Sequence, residues 1–156
     1  MDNWMTWLRP CAVTCLVVAI AIMAAAGAPR AAPDVQVVDG DSYIVNGVHI
    51  RLQAIHCPEY DEPGGAKAEM VAREIVRRAH ILTCEPTGER SYHREVATCT
   101  VGGWNSDPNV RMDLGRLLIQ SGVCTVCRRY DRTDRYVADA AANPWRGSIP
   151  SYCRQR

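Results

Sequence analysis

Eight cysteines in 156 residues constrain this chain more than any other feature. Each must be a metal ligand, a redox group, a packed thiol or half of a bridge, and each choice demands a different fold. The first thirty residues account for two of them. No charge occurs between Arg9 and Arg30, and the apolar run from Cys11 to Ala28 carries Cys11 and Cys15 and closes on small residues. That is the pattern of a secretory signal. Ala24 and Ala26 stand third and first before a cut, which predicts a leader over residues 1–26 and Gly27 as the new N-terminus. The alternative is an uncleaved membrane anchor reaching residue 30, since the run approaches the ~20 residues that span a bilayer. Either way the remainder is exported, to the periplasm or the medium, and a cleaved leader leaves no stable membrane association.

Six cysteines then remain, and an even count in an oxidising compartment predicts disulfides. Cys124-Thr125-Val126-Cys127 has the spacing of a metal knuckle and of a redox motif. A zinc ribbon would need a second such knuckle, which is missing, and a thioredoxin-like motif should open a helix, whereas Arg128-Arg129 follows here. Composition adds further limits: 47% hydrophobic and 22% charged residues exclude disorder, collagen and coiled coil. A net charge of +1 means that any polyanion must be held locally rather than by a global field. Lys67 is the single lysine and phenylalanine is absent, so the core must rest on Val, Ile, Leu, Met, Tyr and Trp.

Asp34 to Val38 and Tyr43 to Val45 read as short strands separated by the turn-forming Asp39-Gly40-Asp41-Ser42, and Asn46-Gly47 marks a tight hairpin. Val48 to Ile55 alternates, with Val48, Ile50, Leu52 and Ala54 on one face and His49, Arg51, Gln53 and Ile55 on the other. After Pro58 and Pro63-Gly64-Gly65, apolar residues at helical spacing predict an amphipathic helix over Lys67 to His80. Ile81 to Cys84 and Glu95 to Val101 form a second strand pair, Gly102 to Met112 is a loop insertion, and Leu114 to Ser121 is a helix stopped by Gly122. This order predicts a mainly β fold with α, a five-stranded OB-type β-barrel carrying about three helices.

Chemistry-bearing residues concentrate in Val38-Asp39-Gly40-Asp41-Ser42, Arg51-Leu52, Ala54-Ile55-His56-Cys57-Pro58-Glu59 and Glu89-Arg90-Ser91-Tyr92-His93-Arg94. Taken with Asp113-Leu114 and Leu118 to Gly122, these segments resemble the staphylococcal nuclease-like (thermonuclease) family. The family's pattern runs Asp-Gly-Asp-Thr, Arg-Leu, Gly-Ile-Asp-Ala-Pro-Glu, then Asp-Arg-Tyr-Gly-Arg. The resemblance extends from about Val35 to Trp145, within a domain expected over residues 35–147 and followed by a basic cysteine-containing tail over 148–156.

It implies hydrolysis of phosphodiester bonds in DNA or RNA by a monomer, with Arg51 and Arg94 holding the phosphate through guanidinium forks and Glu59 activating water. It further implies that Asp41 ligates calcium, with the Cys57 backbone carbonyl as another candidate ligand. His56 departs from the pattern, standing where the family carries a second calcium-binding Asp. Loss of a hard carboxylate should weaken or empty that site. Asp41 with His56 is otherwise an O/N pair suited to manganese, zinc or nickel. His93 departs as well, replacing the family's glycine before Arg94. Arg128 and Arg129 beside Tyr130, with Arg132 and Tyr136 beyond and Tyr92 near Arg94, offer charge and stacking surfaces for nucleic acid, although Asp131 and Asp134 can pair with these arginines. Trp145 reads as a packing plug.

The expected bridges are Cys84 to Cys99, on successive antiparallel strands, and Cys57 to Cys124, implied by the resembled fold, leaving Cys127 to Cys153 to close the tail. Three function classes follow: an exported nuclease, a catalytically silent OB-type module that binds nucleic acid or protein, and a thiol redox protein built on Cys124 and Cys127.

Overall fold

The computed structural model describes residues 34–103 and 109–154. The expected leader over 1–26, the alternative anchor and positions 104–108 of the expected insertion lie outside the described residues. Here β1 (Val35–Val37), β2 (Ser42–Val45) and β3 (Val48–Leu52) form an antiparallel meander. Its tight turn uses Asn46 and Gly47, both at positive φ (49° and 81°), the left-handed pair that matches strand twist in a two-residue hairpin. Ile50 and Leu52 face the core, whereas Val48, beside the turn, is exposed rather than core-facing as its periodicity predicted.

The strand expected to run from Val48 to Ile55 breaks in two. Ala54 adopts φ 60°, and the chain restarts as β4 (Ile55–His56) in a different sheet, which buries Ile55 instead of leaving it opposite the apolar face. The bend is held from both sides: Gln53 N–H donates to Ala97 O at 2.9 Å, and Cys127 N–H donates to Ala54 O at 2.8 Å. Alternation continues through residue 55, so the side-chain pattern alone gives no sign of the bend.

After α1 (Gly65–Arg78) come β5 (Ile81–Ser91) and β6 (Arg94–Gly102), a hairpin longer than expected. The polar connection is itself strand, with one irregularity between Pro86 and Arg90, and the turn is Tyr92-His93 with Tyr92 at φ 57°. The left-handed residue is thus Tyr92 and not His93, so the histidine at 93 brings no backbone strain. β6 organises the main sheet. It pairs antiparallel with β5 along one edge, and on the other with β3 in parallel over Glu95 to Ala97, then with β7 (Arg111–Asp113) over Thr100 to Gly102. Met112 was expected in a loop; it lies in a strand. β8 (Thr125–Val126) pairs antiparallel with β4 as a separate two-stranded sheet.

The described residues therefore form a mixed α/β fold with six strands in one sheet, two in another and four helices, the others being α2 (Leu114–Gln120), α3 (Val137–Ala142) and α4 (Ser151–Arg154). The Asp113 side chain caps α2 by accepting from Arg116 N–H at 2.9 Å. Gly122 at φ 69° ends it. The core has Tyr43, Leu114, Leu118 and Ile119 as its bulky members, and α1 sets Ala68, Ala72 and Ile75 against them.

Bridges join Cys57 to Cys124, Cys84 to Cys99 and Cys127 to Cys153, the three expected pairings. Cys84 and Cys99 are direct cross-strand partners in β5 and β6. Replacing Cys57 and Cys124 together with alanine is expected to lower unfolding free energy by about 4 kcal/mol, and the Cys84/Cys99 pair by about 3, because the entropy removed from the unfolded chain grows with the loop closed. The separations are 67 and 15 residues. Parallel urea titrations of the two double variants give the order.

Candidate functional site

The turn between β1 and β2 points its second aspartate inward. Asp41 N–H donates to Asp39 Oδ1 at 2.9 Å, and Val38 and Asp39 N–H both donate to Ser42 O, so the turn is closed by its own polar groups. Gly40 permits the next layer of packing. A Cβ there would lie 2.7 Å from Cys57 Cβ and 3.0 Å from Cys57 Sγ, so only glycine lets the turn rest on the Cys57–Cys124 bridge.

Asp41 is buried, and both of its carboxylate oxygens are engaged. Oδ2 accepts from Cys57 N–H at 2.9 Å and pairs with Arg51 Nη1 at 2.8 Å, while Oδ1 accepts from Ser42 Oγ–H at 3.3 Å. Arg94 Nη1 donates in turn to Ser42 Oγ at 2.7 Å, and its Nη2 donates to Ser91 Oγ at 3.4 Å. One carboxylate thus aligns two guanidiniums, Arg51 directly and Arg94 through a serine. Arg51 also donates to the Leu52 and Ile55 carbonyls at 3.2 and 3.0 Å, which fixes the plane of the group. Burial pushes the Asp41 carboxyl up to about 7, against the pull of Arg51 and of the Cys57 N–H.

Glu59 follows β4 in an exposed loop. Its N–H donates to Glu62 Oε2 at 3.0 Å, Glu62 N–H returns to Glu59 O at 2.9 Å, and Gly65 N–H donates to Glu62 O at 2.9 Å. A Cβ on Gly65 would fall 1.7 Å from the Glu59 carbonyl oxygen, so this glycine lets α1 start directly under the loop. Partial desolvation and the nearby Asp39 raise the Glu59 pKa above the ordinary carboxylate value, with Arg51 and Arg94 opposing.

Arg51, Glu59 and Arg94, from β3, the loop after β4, and β6, line one cleft of about 520 Å³ together with Tyr92, Tyr130 and Tyr152. A smaller depression of about 260 Å³, bordered by Thr98, Arg132 and Arg135, adjoins it, and Gln53, Ala54 and Tyr130 line both. Arg128 and Arg129 are exposed but are not among the lining residues of the cleft. Arg129 lies over the Tyr130 ring, 5.9 Å from its centroid. Tyr136 offers no stacking face, because it is buried and donates to Asp113 at 3.0 Å. Arg132 pairs with Glu89 at 2.9 Å. Trp145 packs locally, its indole N–H donating to Ser148 O at 3.3 Å over Gly147.

His56 is buried in β4, with the Tyr152 ring edge-on to it at 6.5 Å between centroids. Burial and Arg51 push its pKa below the ordinary value, against Glu62, which keeps the imidazole neutral at pH 7. Calcium requires six to eight oxygens, roughly. The Asp41 carboxylate is already paired with Arg51 and with the Cys57 N–H, and position 56 carries an imidazole. Among the described residues no three His, Cys, Asp or Glu side chains are grouped to share a cation. The donors as arranged do not fit a calcium shell. Cys124 and Cys127 pair with other cysteines and not with each other.

Ser42 and Ser91 as links to Arg94, Gly65 beneath the loop, and Tyr152 in the cleft are contributions that sequence reasoning missed. Ser42 and Ser91 stood inside segments already singled out, without a role of their own, and Pro63-Gly64-Gly65 read only as a strand stop. No protein-family model and no curated protein sequence matches this chain.

The folded-state pKa of Asp41 lies above its unfolded value of 3.8. The stability it contributes is therefore fully present below about pH 4 and lost as pH rises through 7. Removing the guanidinium that offsets its charge should sharpen this dependence. Arg51→Gln is expected to cost about 3 kcal/mol at pH 8, where a buried carboxylate is left uncompensated, and clearly less at pH 5, where Asp41 holds its proton. Urea unfolding of both proteins at the two pH values measures the difference.

Proposed function

We propose that the chain is an exported phosphodiesterase of the thermonuclease type, acting on DNA or RNA as a monomer. The observation that carries this reading is the convergence of Arg51, Glu59 and Arg94 from three separate segments on one cleft, with both guanidiniums aligned from a single buried carboxylate. The fold we propose is an OB-type barrel. The strand order β1-β2-β3-β6-β5, with β3 and β6 parallel, supports it. The three disulfides support export, and among the described residues no helix is long and apolar enough to cross a membrane.

Hydrolysis needs a water oxygen to bond phosphorus as the leaving P–O bond breaks in line, with charge neutralised on the equatorial oxygens. In this reading Glu59 takes the proton from that water, the leaving oxygen takes one from solvent, and the raised pKa of Glu59 makes it a stronger base than an ordinary carboxylate. Arg94 and the unoccupied donors of Arg51 hold the phosphoryl oxygens. No step is assigned to a cation. Calcium, manganese or zinc at Asp41 would have to displace Arg51 from Oδ2.

The second reading, a silent OB-type module that binds nucleic acid or protein, is favoured by that same Asp41–Arg51 pairing and by the two Arg51 bonds to backbone carbonyls, which hold the guanidinium on the protein itself.

Cleavage of single-stranded and duplex DNA and of RNA, with chelator and with each cation added back, separates the two. Glu59→Gln is expected to lower the rate by at least about a hundredfold, and Arg94→Ala by a similar factor, with melting temperature nearly unchanged because both side chains reach solvent. Absence of cleavage by the wild-type protein in every condition, with all three bridges formed, would favour the binding module.

The wild-type rate should rise with pH as Glu59 loses its proton, with a midpoint above the ordinary carboxylate range. A profile measured on Glu59→Asp should move that midpoint. His56→Asp restores the carboxylate of the thermonuclease pattern, and in this reading it creates a calcium stimulation larger than any shown by the wild type. Titration of both proteins with calcium compares them.

A further inference from the structure

The short helix α4 belongs to the tail, far from β3 and β6 in sequence, yet it delivers a side chain to the cleft. Cys153 is fully buried in its bridge to Cys127, and Tyr152 beside it lines the cleft that holds Arg51, Glu59 and Arg94. The ring meets His56 edge-on and remains 47% exposed, so part of it is free to meet a ligand. Tyr130 is rooted at the same place, since its N–H donates to Cys127 O at 2.9 Å. Two aromatic rings are therefore positioned from one cystine, one through a tight turn and the other across the bridge.

Resting on the nuclease reading, we propose that Tyr152 is a substrate-contacting residue held in the cleft by the Cys127–Cys153 bridge and the His56 ring, where it stacks on a nucleobase adjoining the phosphate bound by Arg51 and Arg94. Its chemistry fits that role. A half-exposed phenol carries no formal charge to attract a phosphate, but it offers a flat face, and stacking on such a face tolerates any base. The neutral imidazole at position 56 then has a positive function, as the seat of Tyr152, in place of the carboxylate that a cation would use. The bridge matters because α4 has only four residues and cannot hold its own position.

The test is binding, measured by fluorescence anisotropy in chelator and in a Glu59→Gln background that prevents cleavage. The two probes are a short single-stranded oligothymidylate and an abasic deoxyribose-phosphate oligomer of equal length. Tyr152→Ala is expected to weaken oligothymidylate binding about tenfold, within the range of one base–aromatic stack, and to leave abasic binding unchanged. Tyr152→Phe should retain wild-type affinity. Cys127→Ala/Cys153→Ala should reproduce the selective loss, and adding Tyr152→Ala to it should bring little more. Equal weakening of both probes by Tyr152→Ala, or no weakening of either, overturns the stacking role while leaving the nuclease reading in place. Failure of the parent protein to bind either probe overturns both.

Discussion

The carboxylate of Asp41 is the interaction on which the rest of this molecule depends. It sits where water cannot reach it, and an isolated charge there would be expelled or neutralised. What retains it is a set of partners from three different segments: the Arg51 guanidinium from β3, the Cys57 N–H after β4, and the Ser42 hydroxyl at the start of β2. The pairing sets the positions of those segments relative to one another, and through Ser42 it reaches β6 at Arg94. A buried ion pair of this kind is weak evidence for stability. Its value here is geometric, because two side chains with long, flexible stems acquire fixed orientations at one cleft.

A chain without phenylalanine must find core volume elsewhere, and the cystines supply part of it. Cys57, Cys99 and Cys124 belong to the hydrophobic core, and Cys127 and Cys153 are buried as well. The bridges also join elements that hydrogen bonding alone joins weakly. β4 and β8 pair over only two residues, and the Cys57–Cys124 bond lies immediately beside that pairing. Gly40 lets the Asp41 turn lie on the same bond. Covalent and electrostatic constraints therefore meet at one place, where the turn, the short sheet and the Glu59 loop come together.

Much of this was legible in the sequence, and the exceptions share a cause. Asn46-Gly47, the strand flanking it, the helix after Gly64 and the stop at Gly122 each carry local chemistry that admits few alternatives, and they stand within a few residues of where they were read. The three bridges also follow the expected pairings. Legibility fails where tertiary contacts overrule local pattern. Ala54 turns left-handed because Ala97 and Cys127 hold the backbone on either side, and β5 runs on past Pro86 and Gly88 because β6 is there to pair with it. The site divides in the same way. Arg51, Glu59 and Arg94 were singled out from their segments and line one cleft, whereas Ser42 as a link, Gly65 as a floor and Tyr152 as a lining residue depend on distances that no local pattern encodes. Tyr136 shows the converse, an aromatic beside basic residues that looks like a binding surface and is instead tied to Asp113.

The nesting of the bridges has a consequence for biosynthesis. In order along the chain, the six bridged cysteines are 57, 84, 99, 124, 127 and 153, and the bond from 57 to 124 encloses the bond from 84 to 99. A catalyst that oxidises thiols in the order in which they emerge would join Cys57 to Cys84 and Cys99 to Cys124, leaving the first two native pairings unmade. The bonds from 84 to 99 and from 127 to 153 link neighbours in that series, and the bond from 57 to 124 does not. Cys57 must therefore stay reduced until the chain has been extended past Cys124, or be released afterwards from a wrong partner by thiol–disulfide exchange. An isomerising activity is therefore needed wherever Cys57 is oxidised before Cys124 has emerged.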